Sequence, residues 1–230
     1  MSDILKIIQE RQSDRVPFNP SHPIAKEDLK QILEAARWTP TAHNMQNFDI
    51  VVVDEKEVLE KIGNVKSRIS EVFLRENYEQ LSFSKEELLK KKTGILGAMF
   101  PPSWRDPSKI AEIARESTPM LLTQSIRGSP TLLIVLYDPR KRAPASEGDV
   151  LGFMSLGCVM ENMWLMAQSL GISLQILSVF AAPPVEKQVK QILNVPEPPK
   201  DCLCLSLRIP HSVKQILEST PRYRGFRPLQ

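Results

Sequence analysis

The chain has 230 residues, 42% of them hydrophobic and 25% charged, and its 30 lysines and arginines against 27 acids give a net charge of +3. That length suits one domain or two closely merged ones, and the balance is that of a folded globular protein rather than a disordered one. The small positive excess calls for neither nucleic acid nor an anionic membrane as partner.

Residues 3–11 place Ile4, Ile7, Ile8 and Arg11 at helical spacing, and the pattern stops before Pro17. The opening Met1–Lys6 carries acid early and has no apolar core before a cleavage site, so no export signal is expected and the location reads as cytoplasmic. A second helix is predicted near 25–37, with Leu29, Ile32, Leu33 and Ala36 on one face and Pro40 beyond its end. Phe48–Val53 is short and β-branched, the pattern of a strand. Residues 66–127 are charged, helical in period and broken by Pro101, Pro102 and Pro107, with a capping box at Ser84 and Glu87. This block reads as an insertion or lid on a single domain of residues 1–230.

Core patterning returns with Thr131–Tyr137, a continuous apolar strand. The segment 149–170 is apolar on nearly every face, which suits the middle of a protein or an oligomer interface, and Gly171 ends it. Its Glu161, Asn162 and Gln168 argue against a membrane span of roughly 20 apolar residues. Strands at about 173–180 and 202–209, with a helix at 184–193 between them, complete an α+β or α/β sandwich around one mixed sheet. Trp38 and Trp164 lie in apolar helical runs and are expected in the core. Met154, Met160, Met163 and Met166 read as core or interface filler, and Cys158 as an inert thiol on a buried helix.

Several chemistries lack their motifs. There is no G-x-G-x-x-G, no P-loop and no G-x-S-x-G elbow. His22, His43 and His211 are scattered, and Cys202 with Cys204 finds no second pair, so no zinc site is expected. The three cysteines, an odd number, suit reduced thiols. Two polar constellations remain. Arg11-Gln12-Ser13-Asp14-Arg15 gathers two guanidiniums and a hydroxyl that can hold a phosphate, although the same residues also suit a solvated helix terminus. Thr39-Pro40-Thr41-Ala42-His43-Asn44-Met45-Gln46 offers amides that both donate and accept, matching the edge of a flavin pyrimidine or a nucleobase, or simply a hydrogen-bonded turn.

Together these two segments resemble the nitroreductase family, whose members open on R-x-S-x-R at the end of a short helix and follow with a [ST]-P-[ST]-x-x-N-x-Q turn before a strand. The resemblance extends through Ala167-Gln168-Ser169-Leu170-Gly171-Ile172 and Val189–Pro196 and covers nearly the whole chain. It implies an α+β, three-layer α-β-α sandwich with a mixed, mainly antiparallel central sheet. It also implies a homodimer with FMN at the subunit interface. By position, Arg11 and Ser13 would hold the FMN phosphate, Gln12 between them would also contact the cofactor, and Arg15 would lie toward the ribityl and pyrimidine side. Pro40, Thr41 and Asn44 would reach the flavin from the partner chain, with Gln46 near its ring or ribityl. Backbone at Leu177 and Ser178 would approach flavin N5, Asn77 would come from the lid, and Arg222 and Arg224 would bring C-terminal charge to the phosphate. The implied activity passes reducing equivalents from NAD(P)H to a nitroaromatic, quinone or similar small electrophile. Reductive dehalogenation or dehydrogenation on the same scaffold, or flavin binding without turnover, are the alternatives. The chain departs from the family at Asn47-Phe48, where many members have Pro-Trp, and in the tail after Pro210.

Overall fold

The computed structural model describes residues 3–12, 23–76, 84, 86–87, 90, 101, 104, 106–126, 128–146 and 148–195, and the backbone of 201–208. The chain divides into two compact units, Met1–Ser67 with Leu121–His211, and Arg68–Met120 with Ser212–Gln230.

The first unit is built on a sheet of β1 (Phe48–Val53), β2 (Thr131–Tyr137), β3 (Ser173–Leu177) and β4 (Asp201–Arg208), in the order β1-β2-β4-β3. All three pairings are antiparallel, with Phe48 opposite Tyr137, Thr131 opposite Leu207 and Leu177 opposite Cys204. The mainly antiparallel character expected from the resemblance is therefore found in these four strands. β2 is buried along its whole length because helices cover both of its faces.

Alternation along β2 sorts the core in two. Leu133, Val135 and Tyr137 face α2 (Lys26–Arg37) and α7 (Val150–Ser169), where Ile32, Ala36, Leu156, Val159, Met163 and Ala167 close the first core. Leu132, Ile134 and Leu136 face Ile62 of α3 (Lys56–Gly63), Ile126 of α6 (Thr123–Ile126), and Val185 and Val189 of α8 (Pro183–Ile192). The helix α1 (Asp3–Glu10) packs on α7. Three layers result. Two prolines open α8, where the missing N–H costs nothing and the fixed φ is already helical.

At the end of α7, Gly171 takes φ +72°, its N–H donates to Gln168 O at 3.1 Å and Ile172 N–H donates to Ala167 O at 2.9 Å. This is a Schellman stop, which requires the left-handed residue that glycine supplies without strain. At the other end, α7 comes so close to β2 that a Cβ on Gly152 would lie 2.5 Å from the Tyr137 hydroxyl oxygen. That hydroxyl donates to Asp149 Oδ1 at 2.8 Å, fixing the start of the helix over the strand.

Some expectations change. Trp38 is 77% exposed rather than in the core. Ile32 and Ala36 define the buried face of α2, and a residue two positions past Ala36 lies roughly 200° around the helix, pointing away from the sheet. Its indole N–H donates instead to Glu34 Oε1 at 2.8 Å. The segment 150–169 is long and apolar enough to cross a membrane by length and composition. In this chain only one side of it is buried. Val150, Phe153, Met154 and Cys158 are exposed, so Cys158 is not on the sheltered face expected of it. The expected strand over 173–180 ends at Leu177, where the chain tightens into a 3₁₀ turn at Ser178–Ala181.

In the second unit, α4 (Glu71–Glu76) and α5 (Ile110–Glu116) close over Leu74 and Ile110, with Trp104 packed against them. The expected capping box is present: Glu87 N–H donates to Ser84 Oγ at 3.2 Å and Ser84 N–H to Glu87 Oε2 at 2.8 Å.

Candidate functional site

The segment between α2 and β1 is held by polar residues of α7. Thr39, itself buried, accepts a hydrogen bond from Asn162 Nδ2 at 2.8 Å and donates through Oγ1 to Ala35 O at 3.2 Å. Three residues on, Ala42 N–H donates to Ser155 Oγ at 3.0 Å, and that hydroxyl donates to Leu151 O at 2.8 Å. Ser155 and Asn162 are seven apart, two turns of helix, so they project from one side of α7. They pin both ends of Thr39–Ala42.

Beyond that anchor the backbone becomes strained. His43, Asn44 and Gln46 take φ of 53°, 53° and 47°, the left-handed region that costs L-residues roughly 1–2 kcal/mol each. Thr41 supports them from both its oxygens: Asn44 N–H donates to Thr41 O at 2.9 Å and Gln46 N–H to Thr41 Oγ1 at 3.0 Å. Gln46 Nε2 then donates to Asn44 Oδ1 at 3.3 Å, joining the two amides. Strain held this firmly is typical of places where a backbone is shaped for a ligand.

The turn borders a cleft of about 950 Å³, lined by Pro40, Asn44, Gln46, Asp49, Lys141 and neighbouring residues of α2 and β1. That volume lies at the upper end of the roughly 300–1,000 Å³ found for small-molecule sites. Lys141 comes from the 3₁₀ turn Pro139–Lys141, which Asp138 caps by accepting Arg140 N–H at 3.2 Å. Arg140 Nε and Nη2 also donate to the Asp138 carboxylate, each at 2.9 Å, and these bonds hold the buried Asp138 carboxyl below the usual range. Asp138 N–H donates to Asn47 O at 2.9 Å, so the lysine-bearing turn and the strained turn are tied together.

Asn47 is fully buried, and neither its Nδ2 nor its Oδ1 has a partner among the described residues. An amide in that state costs on the order of 1–3 kcal/mol.

Arg11 forms a separate cluster. It sits just past α1, its N–H donating to Ile7 O at 2.9 Å. Its guanidinium carbon lies 4.2 Å above the ring centroid of Trp164, and its Nε is 3.2 Å from Glu161 Oε1. That distance makes an ion pair, but the Nε–H is not aligned on the oxygen and lacks an accepted hydrogen bond among the described residues. The buried Trp164 Nε1 has no acceptor among them either.

Of the residues the sequence singled out, Pro40, Asn44 and Gln46 line the cleft and Thr41 shapes it. Arg11 is not brought to the cleft lining; it stands with Trp164 and Glu161, with the half-buried Gln12 beside it in the chain. Leu177 is buried in the α3/α8 core and pairs with Cys204 across the sheet, and Ser178 is exposed at the start of the next turn. Ser13, Arg15, Asn77, Arg222 and Arg224 lie outside the described residues. Sequence reasoning missed Asn47, Lys141, Ser155 and Asn162 as site residues. The available signal was polar residues inside apolar runs, as with Ser155, Glu161 and Asn162 in the helix over 149–170. Among the described residues no group of three His, Cys, Asp or Glu is placed to hold a metal.

Comparison with known proteins gives these features a family. The nitroreductase family model matches residues 8–207. A protein of Bacillus subtilis named as an NAD(P)H nitroreductase, MhqN, is 36% identical over 62 residues, which is 27% of this chain and 30% of that protein. One of Archaeoglobus fulgidus, named as an NADH dehydrogenase/NAD(P)H nitroreductase, is 38% identical over 63 residues, 27% of this chain and 35% of its own length. The matched stretches thus span about a third of those relatives. In structure, a nitroreductase with bound FMN from Bacteroides fragilis superposes with a TM-score of 0.58 at 19% identity, covering 99% of this chain and 96% of the other. A BluB-like flavoprotein from Clostridium difficile gives 0.56 at 21% identity, covering 99% and 96%. At such identities the superpositions speak for the fold, and the family model speaks for kinship. The chain belongs to the nitroreductase family.

Proposed function

We propose that the protein is an FMN-dependent oxidoreductase that passes reducing equivalents from NAD(P)H to a nitroaromatic, quinone or similar small electrophile, and that it works as a homodimer. The observation that carries this reading is the strained 39–46 turn, which points two linked amides along a cleft of small-molecule size. Donors without acceptors fit the same group. The buried Asn47 amide lies between the cleft-lining Gln46 and Phe48 with both donor and acceptor unspent among the described residues, and the Arg11–Trp164 stack offers two N–H groups suited to phosphate oxygens.

In this reading Arg11 and Ser13, with Arg222 and Arg224, hold the phosphate, Gln12 contacts the cofactor between them, and Arg15 lies toward the ribityl and pyrimidine side. Pro40, Thr41, Asn44 and Gln46 shape the ring site. Asn77 and the backbone at Leu177 and Ser178 complete it. Bound FMN would supply the transfer of hydride or electrons from NAD(P)H to the acceptor, so no side chain need act as acid or base. The chain's work is then to bind, orient and exclude water. Thr41, Asn44 and Gln46 fix donors and acceptors in advance, and Lys141 with Arg37 adds positive charge along the cleft, which favours an anionic reduced cofactor. The dimer is supported by apolar surface a single chain leaves open: Ile4, Ile8 and Trp38 near one end of α7, and Val150, Phe153 and Met154 near the other.

The test is direct. Purified protein supplied with FMN is expected to retain the visible absorbance of bound flavin through gel filtration at dimer mass. It should then oxidise NADPH or NADH faster when a nitroaromatic or quinone is added. Protein that elutes colourless after incubation with FMN would end this reading.

A further inference from the structure

We propose that Glu161 is a built-in competitor for the cofactor phosphate at Arg11, its negative charge setting how tightly the protein retains FMN. The inference rests on the flavin reading above but assigns a role to a residue outside the family's motifs.

Three contacts hold the Arg11 guanidinium. The backbone of Arg11 is fixed by the hydrogen bond to Ile7 O at 2.9 Å, and the guanidinium lies over the Trp164 ring at 4.2 Å. These two set its position without help from a carboxylate. Glu161 is the third, with Oε1 3.2 Å from Arg11 Nε. It neutralises charge but leaves the Nε–H without an accepted hydrogen bond among the described residues, and the Trp164 Nε1 is likewise without an acceptor there. The Arg11 Nε–H therefore stands half-served next to an anion, and the buried indole N–H of the ring beneath it is open. The Arg11 side chain is 29% exposed and the Glu161 side chain 44%, so the carboxylate is the partner freer to turn to solvent.

A phosphate monoester brings three oxygens and nearly two negative charges, enough to satisfy donors that one misaligned carboxylate oxygen leaves open. It cannot share the guanidinium with Glu161 without like-charge repulsion in a partly buried place. Binding must therefore push the Glu161 carboxylate aside. In the empty protein the same carboxylate keeps the Arg11 charge from standing alone against the indole. Glu161 thus lowers phosphate affinity and steadies the unliganded protein.

The experiment titrates wild-type and Glu161→Gln apoprotein with FMN and, separately, with riboflavin, which lacks the phosphate, following flavin fluorescence. Gln keeps the shape and removes the charge at a half-exposed helix position, and a thermal melt checks that each variant is folded. Glu161→Gln is expected to lower the Kd for FMN about twofold to fivefold, the range for loss of one partly exposed charge contact. Its riboflavin Kd should not move. Glu161→Asp, which keeps the charge, should stay near wild type, and Arg11→Ala should narrow the gap between FMN and riboflavin affinities. Weaker FMN binding by Glu161→Gln would overturn the proposal, because Glu161 would then be orienting Arg11. An equal change for both ligands, or none for either, would overturn it too. Wild-type protein that binds riboflavin and FMN equally would remove the phosphate site at Arg11 while leaving the flavin reading intact. Wild-type protein that binds neither would end both.

Discussion

Two helices of similar role, α7 and α8, cover opposite faces of the same strand and use their polar residues in opposite ways. On α8, Gln188 Nε2 donates to Pro184 O at 2.9 Å and Lys190 pairs with Glu186, both within the helix. On α7, Ser155 reaches Ala42, Asn162 reaches Thr39, Glu161 meets Arg11, and Asp149 before its first turn receives Tyr137. The α8 side is a core whose geometry ends at its own surface. The α7 side transmits its geometry to the turn that shapes the cleft. Stability and site are therefore coupled on one face of β2 and separable on the other.

Mutations can break that contrast, and the largest effect belongs to the side that sends no side chain to the 39–46 turn. Ile62→Ala removes a fully buried side chain from the α3/α8 core and is expected to cost roughly 2–5 kcal/mol in urea unfolding. The FMN affinity of the protein that remains folded should stay within about twofold of wild type. A tenfold loss of affinity would show that the two faces are not separable.

Gly152→Ala tests the other side. Its Cβ would sit 2.5 Å from the Tyr137 hydroxyl oxygen, so α7 or the ring must shift, at a cost of roughly 1–3 kcal/mol. Here the smaller loss of stability should come with the larger loss of flavin affinity, because Ser155 moves with the helix. Asn162→Ala is gentler. It frees Thr39 Oγ1 from its donor at 2.8 Å and should cost about 1 kcal/mol, again with weaker FMN retention, read by equilibrium dialysis. If Asn162→Ala leaves FMN affinity untouched, α7 does not position the turn.

The contrast between the helices also explains what the sequence could tell. β2 was legible because the six consecutive apolar residues Leu132–Tyr137 have one sensible use, a strand covered on both faces. The end of α7 was legible because Gly171 serves a local need, and Ser84 with Glu87 because a capping box is complete within four residues. The cleft-lining Pro40, Asn44 and Gln46 were found through a contiguous motif. Ser155 and Asn162 were not, since their partners lie 113 and 123 residues away, and polarity within an apolar run marks such residues without telling what they reach. Trp38 was misread for a related reason. Hydrophobicity alone placed it in the core, whereas its angle from Ala36 around α2 turns it outward. Asn47 looked like a changed packing contact at a family position; that its amide is buried and unpaired depends on Asp138 and β1 closing around it.

The smallest effect concerns the link between the two turns that border the cleft. Asp138 is buried, and Arg140 holds its carboxyl below the usual range by direct hydrogen bonds. A carboxyl with a depressed folded pKa adds stability that is fully present above its unfolded value, about 3.9, and is lost as pH falls through the lower folded value. Wild-type protein should therefore keep this contribution at neutral pH and lose it only below about pH 4. Asp138→Asn should remove that acid limb from a plot of urea midpoint against pH, with a loss at pH 7 smaller than that of Asn162→Ala. The variant keeps the backbone donation from position 138 to Asn47 O, so the strained turn should hold its shape and FMN affinity should barely change. If affinity falls as far as in Asn162→Ala, Asp138 acts on the site through Lys141, and the cleft is shaped from two sides rather than from α7 alone.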